Sequence, residues 1–146
     1  HPPCWITRPG HPALSETVMT EAQLAALASR PSVTIGSHSI NHPDFLTLEA
    51  TAAERELDDS RSHPESILGR PVTTLSFPHG RFNDTLLHQA LPVGYSRVFG
   101  IQPRVLTGFP PGTAVGRVAV EPDDGPLEFR LKLLGAYRWM AKSHQA

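Results

Sequence analysis

The sequence predicts an α/β fold, layered or barrel-like, with a largely parallel sheet. Three observations lead there. Runs rich in β-branched and aromatic residues, at positions 33–35, 72–77, 95–99 and 115–120, alternate along the chain with helix-forming segments. Proline or glycine closes the elements, as at Pro31, Pro78, Pro92 and Gly94. A length of 146 residues, 39% of them hydrophobic, makes one domain with an ordinary core. No internal repeat competes with this reading.

Positions 1–18 carry Pro2, Pro3, Pro9, Pro12 and Gly10, which exclude regular helix and central strand. A loop laid over the core is expected there, anchored by Trp5, Ile6 and Leu14. A helix begins after Thr20. Thr20 and Gln23 have the spacing of a capping box, and Met19 and Leu24 that of a hydrophobic staple. Leu24, Leu27 and Ala28 mark its buried stripe, and Arg30-Pro31 stops it before the first strand. From Glu49 to about Ser62 the composition is again helical. Ala50, Ala53 and Leu57 form a thin apolar face, and the charged remainder reads as a solvated outer face. Pro64, which costs about 3 kcal/mol inside a helix, predicts a kink or break, and Gly69 closes the element. The second strand ends at Pro78. Asn83 caps a short helix carrying Leu86, Leu87 and Leu91, stopped by Pro92 and Gly94. After the third strand, a loop with Pro103, Gly108, Pro110, Pro111 and Gly112 leads to the fourth, which contains Arg117.

The last helix runs from about Pro126, a residue suited to a first turn, to Lys142. Phe129, Leu133, Tyr137 and Met140 fall on one side with Leu134 beside them, and Glu128, Lys132 and Lys142 lie roughly opposite. Two readings stay open. The helix packs against the sheet, or it lies in a membrane interface, for which Arg130, Lys132, Arg138 and Trp139 are fitting residue types.

Charge excludes one class of partner. With 13 basic and 14 acidic residues, net −1, nothing marks a nucleic-acid footprint. The single Cys4 excludes an internal disulfide. No apolar run is long enough to span a bilayer, and no signal peptide is visible. The compartment, bacterial cytoplasm or cell envelope, is left open. The chain opens on His1 without an initiating methionine, and a segment upstream of it is expected.

Chemistry concentrates in Gly36-Ser37-His38-Ser39-Ile40-Asn41-His42-Pro43, directly after the first strand. Imidazoles four residues apart can point the same way from one turn. Pro43 disfavours helix at His42, so the turn is expected to be tight. Asn41 and Asp44 are expected to shape it through side-chain-to-backbone bonds. Spacing alone leaves two readings, half of a metal site or two surface imidazoles. Phe77-Pro78-His79-Gly80, at the end of the second strand, is by itself a tight turn. His11 and His88 are assigned to the surface.

Several pieces in order carry a resemblance. They are Met19-Thr20-Glu21-Ala22-Gln23-Leu24, the segment from Ile35 to Asp44 with its His pair, Glu54-Arg55-Glu56-Leu57, Ser60-Arg61, Gly69-Arg70-Pro71-Val72, Ser76-Phe77-Pro78-His79-Gly80 and Gly94-Tyr95. Together they resemble the polysaccharide deacetylases of the NodB-homology type, carbohydrate esterase family 4, over about residues 17–100. The His segment looks like that family's second motif, and Ser76-Phe77-Pro78-His79-Gly80 like its third, in a variant without a leading arginine. Gly116-Arg117-Val118-Ala119-Val120 and the last helix look like the tail of members found with exopolysaccharide genes. The resemblance implies a partial (β/α) barrel with mostly parallel strands. Residues 1–120 are then the C-terminal portion of the deacetylase domain, followed by an amphipathic helix at 121–146. It implies removal of N-acetyl groups from a polysaccharide or amino sugar by hydrolysis of a carbon–nitrogen bond. The implied metal is divalent, zinc first, with His38 and His42 as ligands. The implied oxyanion donor is the backbone N–H of His79, and Phe77, Pro78 and Gly80 are implied to face substrate.

The family's first motif, an aspartate pair that supplies the catalytic base and a third metal ligand, is absent, since no Asp precedes Asp44. It is expected on a strand upstream of His1. Without that strand the sheet has an open edge. One alternative is a permuted placement in which Asp123 or Asp124 of Glu121-Pro122-Asp123-Asp124-Gly125-Pro126 reaches the His pair. The other is a helix N-terminus, where acidic residues are favoured. No fourth motif is recognisable, and no partner His in the last strand offers itself as acid. Arg117 orients a carboxylate or makes an ion pair at a strand end, and His79 carries protons or is a loop residue. His63-Pro64 interrupts a helix that runs unbroken in the family. The competing functions are a metal-dependent deacetylase, a non-catalytic remnant that binds glycan or a partner protein, and a metal-binding or envelope-associated accessory module.

Overall fold

The computed structural model describes residues 17–101 and 114–136. The N-terminal loop with Trp5, Ile6 and Leu14, the loop with Pro103 to Gly112, and the last helix beyond 136, with Tyr137, Arg138, Trp139, Met140 and Lys142, lie outside the described residues.

Strands β1 (Thr74–Ser76), β2 (Arg97–Phe99) and β3 (Ala114–Val115) form a parallel sheet in that order. Leu75 faces Val98 in β2, and on its other side it pairs with Ser37 in a single parallel bridge. Ser37 therefore borders β1 on the edge away from β2. The first strand is thus shorter than its β-branched residues imply, and it is displaced to Ser37. Val33 N is instead taken by Arg30 O at 3.0 Å, in the turn that precedes this segment. The other strands also shrink. The run expected at 115–120 leaves the sheet after Val115, so Arg117 lies beyond β3 rather than inside it. Three parallel strands, the first two joined through a helix, agree with a partial (β/α) barrel.

Helix α1 (Glu21–Ala28) begins with the expected capping box. Gln23 N donates to Thr20 Oγ1 at 3.3 Å, and Thr20 N to Gln23 Oε1 at 2.9 Å. Met19 is half exposed, and only Ala28 of the stripe is buried. Helix α2 (Ala50–Leu68) continues unbroken through Pro64 and ends at Gly69 in the left-handed region, φ 63°. The expected break is absent because the second half is tied down. Arg61 donates to the carbonyls of Val93 at 2.6 Å and Val72 at 3.3 Å. Glu65 accepts from Val72 N at 2.7 Å and pairs with Arg61 at 3.1 Å. These bonds outweigh the one backbone bond that proline removes.

Helix α3 (Asp84–Val93) is capped by Asn83, includes Pro92 in its last turn and closes at Gly94. It joins β1 to β2, the crossover that parallel strands require. The core between helices and sheet is Phe45, Ala53, Leu57, Leu75, Phe77, Leu86, Ala90, Tyr95 and Val98. Within it, Ser37 Oγ donates to Ser60 Oγ at 3.0 Å, Ser60 Oγ lies 3.0 Å from Tyr95 Oη, and Tyr95 donates to Leu57 O at 3.1 Å. Burial pushes the Tyr95 phenol up from its ordinary value.

Helix α4 (Pro126–Leu133) buries none of its side chains. Leu127, Phe129, Leu131, Leu133 and Leu134 are all exposed, so the expected packing on the sheet does not occur among the described residues. None of the helices among those residues is long and apolar enough to cross a membrane.

Candidate metal and acyl site at the carboxyl ends of the strands

In a parallel α/β sheet, ligand sites form beyond the carboxyl ends of the strands. All the residues in question leave the sheet at that edge. His38 follows Ser37, the turn Pro78–Gly80 follows β1, and Arg117 lies two residues beyond β3. The backbone that presents His38 is held by Ser37 N donating to Thr74 O at 2.8 Å and Ser76 N donating to Ser37 O at 2.9 Å. Gly36 is required for this approach, because a Cβ there would sit 2.6 Å from Thr74 Oγ1.

The two imidazoles come together. The His38 and His42 ring centroids are 5.0 Å apart at 69°, and the His79 ring is 4.7 Å from that of His42 at 79°. The turn is not helical, as Ser39 (φ 66°) and His42 (φ 53°) are both left-handed. His42 N donates to Ser39 Oγ at 3.0 Å, which closes the loop locally. Asp44 shapes the exit by accepting from Leu46 N at 3.2 Å, and it pairs with Arg81 at 2.6 Å, joining this loop to the one after β1. Asn41 works differently from the expectation, donating its side-chain amide to Glu56.

His38 Nδ1 lies 2.6 Å from Ser76 O. A carbonyl only accepts, so Nδ1 carries the hydrogen, and the neutral ring presents its lone pair at Nε2. That is the usual orientation device for a metal-binding imidazole. The His42 Nδ1 is shielded from solvent. Burial first, then the neighbouring His38 and His79, hold the His42 imidazole below its ordinary value, which keeps it neutral and able to donate a lone pair. Two imidazoles on one tetrahedral cation, with metal–nitrogen bonds of about 2.0–2.1 Å, set their centroids roughly 5 Å apart. The His38–His42 spacing fits two of four ligands. His79 extends the pair as a row of rings, and among the described residues no set of three or more His, Cys, Asp or Glu side chains is placed to hold an ion.

Asp123 and Asp124 do not join the pair. Asp124 receives Lys132 Nζ at 2.6 Å and Glu121 N at 2.9 Å, and these bonds hold its carboxyl below the ordinary carboxylate value. It closes the turn before α4, as an acidic residue at a helix N-terminus does.

The turn Pro78–Gly80 starts from Phe77, which is fully buried between Phe45 (5.0 Å, edge-on) and Phe82 (5.1 Å, stacked). Pro78 is buried as well. Side chains with no exposed surface offer none to a ligand, so Phe77 and Pro78 support the turn from beneath. His79 (φ 57°) and Gly80 (φ 63°) form its exposed part, with Gly80 N donating to Phe77 O at 3.0 Å. Among the described residues, Arg117 neither orients a carboxylate nor makes an ion pair. It donates from Nη2 to Ser76 Oγ at 2.8 Å and from Nε to Gly100 O at 3.1 Å, with its guanidinium 5.8 Å above the Phe99 ring. It clips together the carboxyl ends of the strands next to the carbonyl that orients His38. His88 is exposed, as expected, and His11 lies outside the described residues.

Two contributors were missed in the sequence. Ser76 acts through its backbone carbonyl, which no residue type announces. Glu56 was counted with the solvated face of α2, and it turns toward the His loop instead. A glutamate one helical turn from buried Ser60 was the available signal.

Comparison with known proteins bears on the family and the fold. A family model described as polysaccharide deacetylase matches residues 11–98. The YxkH protein of Bacillus subtilis is 28% identical over 104 residues, 71% of this chain and 37% of that protein. The peptidoglycan-N-acetylmuramic acid deacetylase PdaA of the same organism is 32% identical over 83 residues, 56% of this chain and 32% of that protein. The chain thus spans about a third of the length of these curated relatives. The Streptococcus pyogenes deacetylase PplD, solved with acetate, superposes with a TM-score of 0.71 at 21% identity, over 81% of this chain and 52% of that one. At that identity the likeness concerns the fold.

Proposed function

This chain belongs to the polysaccharide deacetylase family, and from that premise we propose that it carries part of a metal-dependent site hydrolysing the acetamido group of an N-acetylated glycan. The observation that carries the reading is the 5.0 Å His38–His42 pair at the carboxyl edge of the sheet, beside the Pro78–Gly80 turn. His38 and His42 are the ligands, and zinc is the cation this donor set suits. When bound, such a cation polarises the amide carbonyl and makes hydroxide available near neutral pH.

The chain's own residues do the rest of what is assigned here. Ser76 O keeps the His38 lone pair at Nε2. The backbone N–H of His79 is the donor to the oxyanion that develops on the acetyl oxygen. Gly80 holds the left-handed turn that presents this N–H, with the Ile101 side chain filling the place of its missing Cβ. Arg117 keeps the ends of the strands in register. The reaction further needs a base for the attacking water and an acid for the departing amine; the base is assigned to the family's aspartate motif, outside this sequence. PdaA is named for a peptidoglycan amino sugar, and an acetylated amino sugar is the substrate class assigned to this chain.

Zinc titration of the chain and of His38→Ala and His42→Ala tests the site. Loss of an outer hydrogen-bond partner of a metal ligand costs about 10- to 100-fold in affinity, and loss of a ligand is expected to cost no less. Unchanged affinity in both variants would falsify the assignment. Acetate release from an acetylated chito-oligosaccharide, by a longer chain that includes this segment, tests the chemistry. Glycan binding with no release supports the non-catalytic alternative.

A further inference from the structure

The loop that spaces the two imidazoles is held from outside by one carboxylate. Glu56 Oε2 accepts from Ile40 N at 3.1 Å and from Asn41 N at 3.2 Å, while Oε1 accepts from the Asn41 side-chain amide. Ile40 and Asn41 lie between His38 and His42. Two consecutive backbone N–H groups converging on one anion form a small anion-binding concavity. The flanking left-handed residues, Ser39 and His42, are strained and persist only where the surroundings over-determine them.

Glu56 sits on α2 between buried Ala53, Leu57 and Ser60. One turn further along the same face, Ser60 accepts from the Ser37 hydroxyl, so α2 grips the segment both before His38 and after it. We infer that Glu56 is a positioning residue: its carboxylate sets the separation and orientation of the His38 and His42 rings. This rests on the proposed metal site for its consequence, though not for its geometry.

The experiment reads both. Glu56→Ala removes all three acceptor contacts. Glu56→Gln keeps an oxygen for the backbone N–H groups and sets an amide nitrogen against the Asn41 amide. Adding Asn41→Asp to Glu56→Gln restores a donor–acceptor pair there with the polarity reversed. The zinc dissociation constant is measured for each, together with the imidazole NMR signals of His38 and His42 in metal-free protein. A folding midpoint is recorded to confirm that the variants are native at the temperature used. The expected result is a zinc affinity lower by about 10- to 100-fold in Glu56→Ala, displaced His38 and His42 imidazole signals in both single variants, and recovery of both readouts in the double variant. A role confined to stabilising α2 would move the midpoint alone.

Imidazole signals and zinc affinity unchanged in Glu56→Ala would overturn the inference. If His38→Ala and His42→Ala leave zinc affinity unchanged, the metal assignment fails separately, and the imidazole signals alone decide the role of Glu56.

Discussion

At the scale of single residues, conformation and burial decide which side chains can act. Gly80 has φ 63°, and a Cβ there would collide with the Ile101 side chain. Gly80→Ala is expected to destabilise the chain by roughly 1–3 kcal/mol in denaturant titration, and a neutral effect would contradict the placement of this turn. His42 links the site to pH. Its folded-state value lies below the ordinary 6.5, chiefly through burial and secondarily through His38 and His79. As pH falls below 6.5, the unfolded chain takes up this proton before the folded chain does. The stabilising contribution is therefore complete above 6.5 and is lost as pH falls through the folded value. Stability measured from pH 7 downward is expected to drop less steeply in His42→Asn than in the parent chain. An equal slope in the two would show that His42 is not the group responsible. The pair itself was legible in the sequence from its spacing and from the motif around it. Its geometry was not, because two left-handed non-glycine residues carry no sequence mark.

At the scale of elements, local signals were reliable where they are local in cause. The Thr20 capping box, the Asn83 cap and the Gly69 and Gly94 stops all appear where the residues put them. Signals that depend on a distant partner were misread. Pro64 implies a break, yet Arg61 and Glu65 bind Val72 and Val93 and carry α2 past it. Pro64→Ala is accordingly expected to stabilise the chain by about 1–3 kcal/mol, by returning an N–H to the Ser60 carbonyl. A lower denaturation midpoint in that variant would mean that proline shapes the helix in a way the bonds described do not capture. Residues 33–35 and 116–120 have strand composition without a ladder, because strand formation needs a backbone opposite, and composition does not report one. Likewise the apolar residues of α4 imply a packed face, and the described residues provide no surface that covers them.

At the scale of the whole molecule, the parallel order Ser37–β1–β2–β3 collects the His loop, the Pro78–Gly80 turn and Arg117 at one edge. Alternation of strand and helix predicted that sheet and therefore the edge. It could not predict the crosslinks between loops: Glu56 to Ile40 and Asn41, Asp44 to Arg81, and Arg117 to Ser76. These are tertiary bonds between exposed residue types that a solvated surface also uses. They brace the turns at the carboxyl edge around the imidazole pair, which the proposed function makes a metal site. Anomalous scattering at the zinc edge, from crystals of the chain grown with zinc, tests that claim most directly. The account predicts a peak about 2.0–2.1 Å from Nε2 of His38 and from a ring nitrogen of His42. Zinc bound elsewhere, or the two rings turned away from each other with no peak between them, would contradict it.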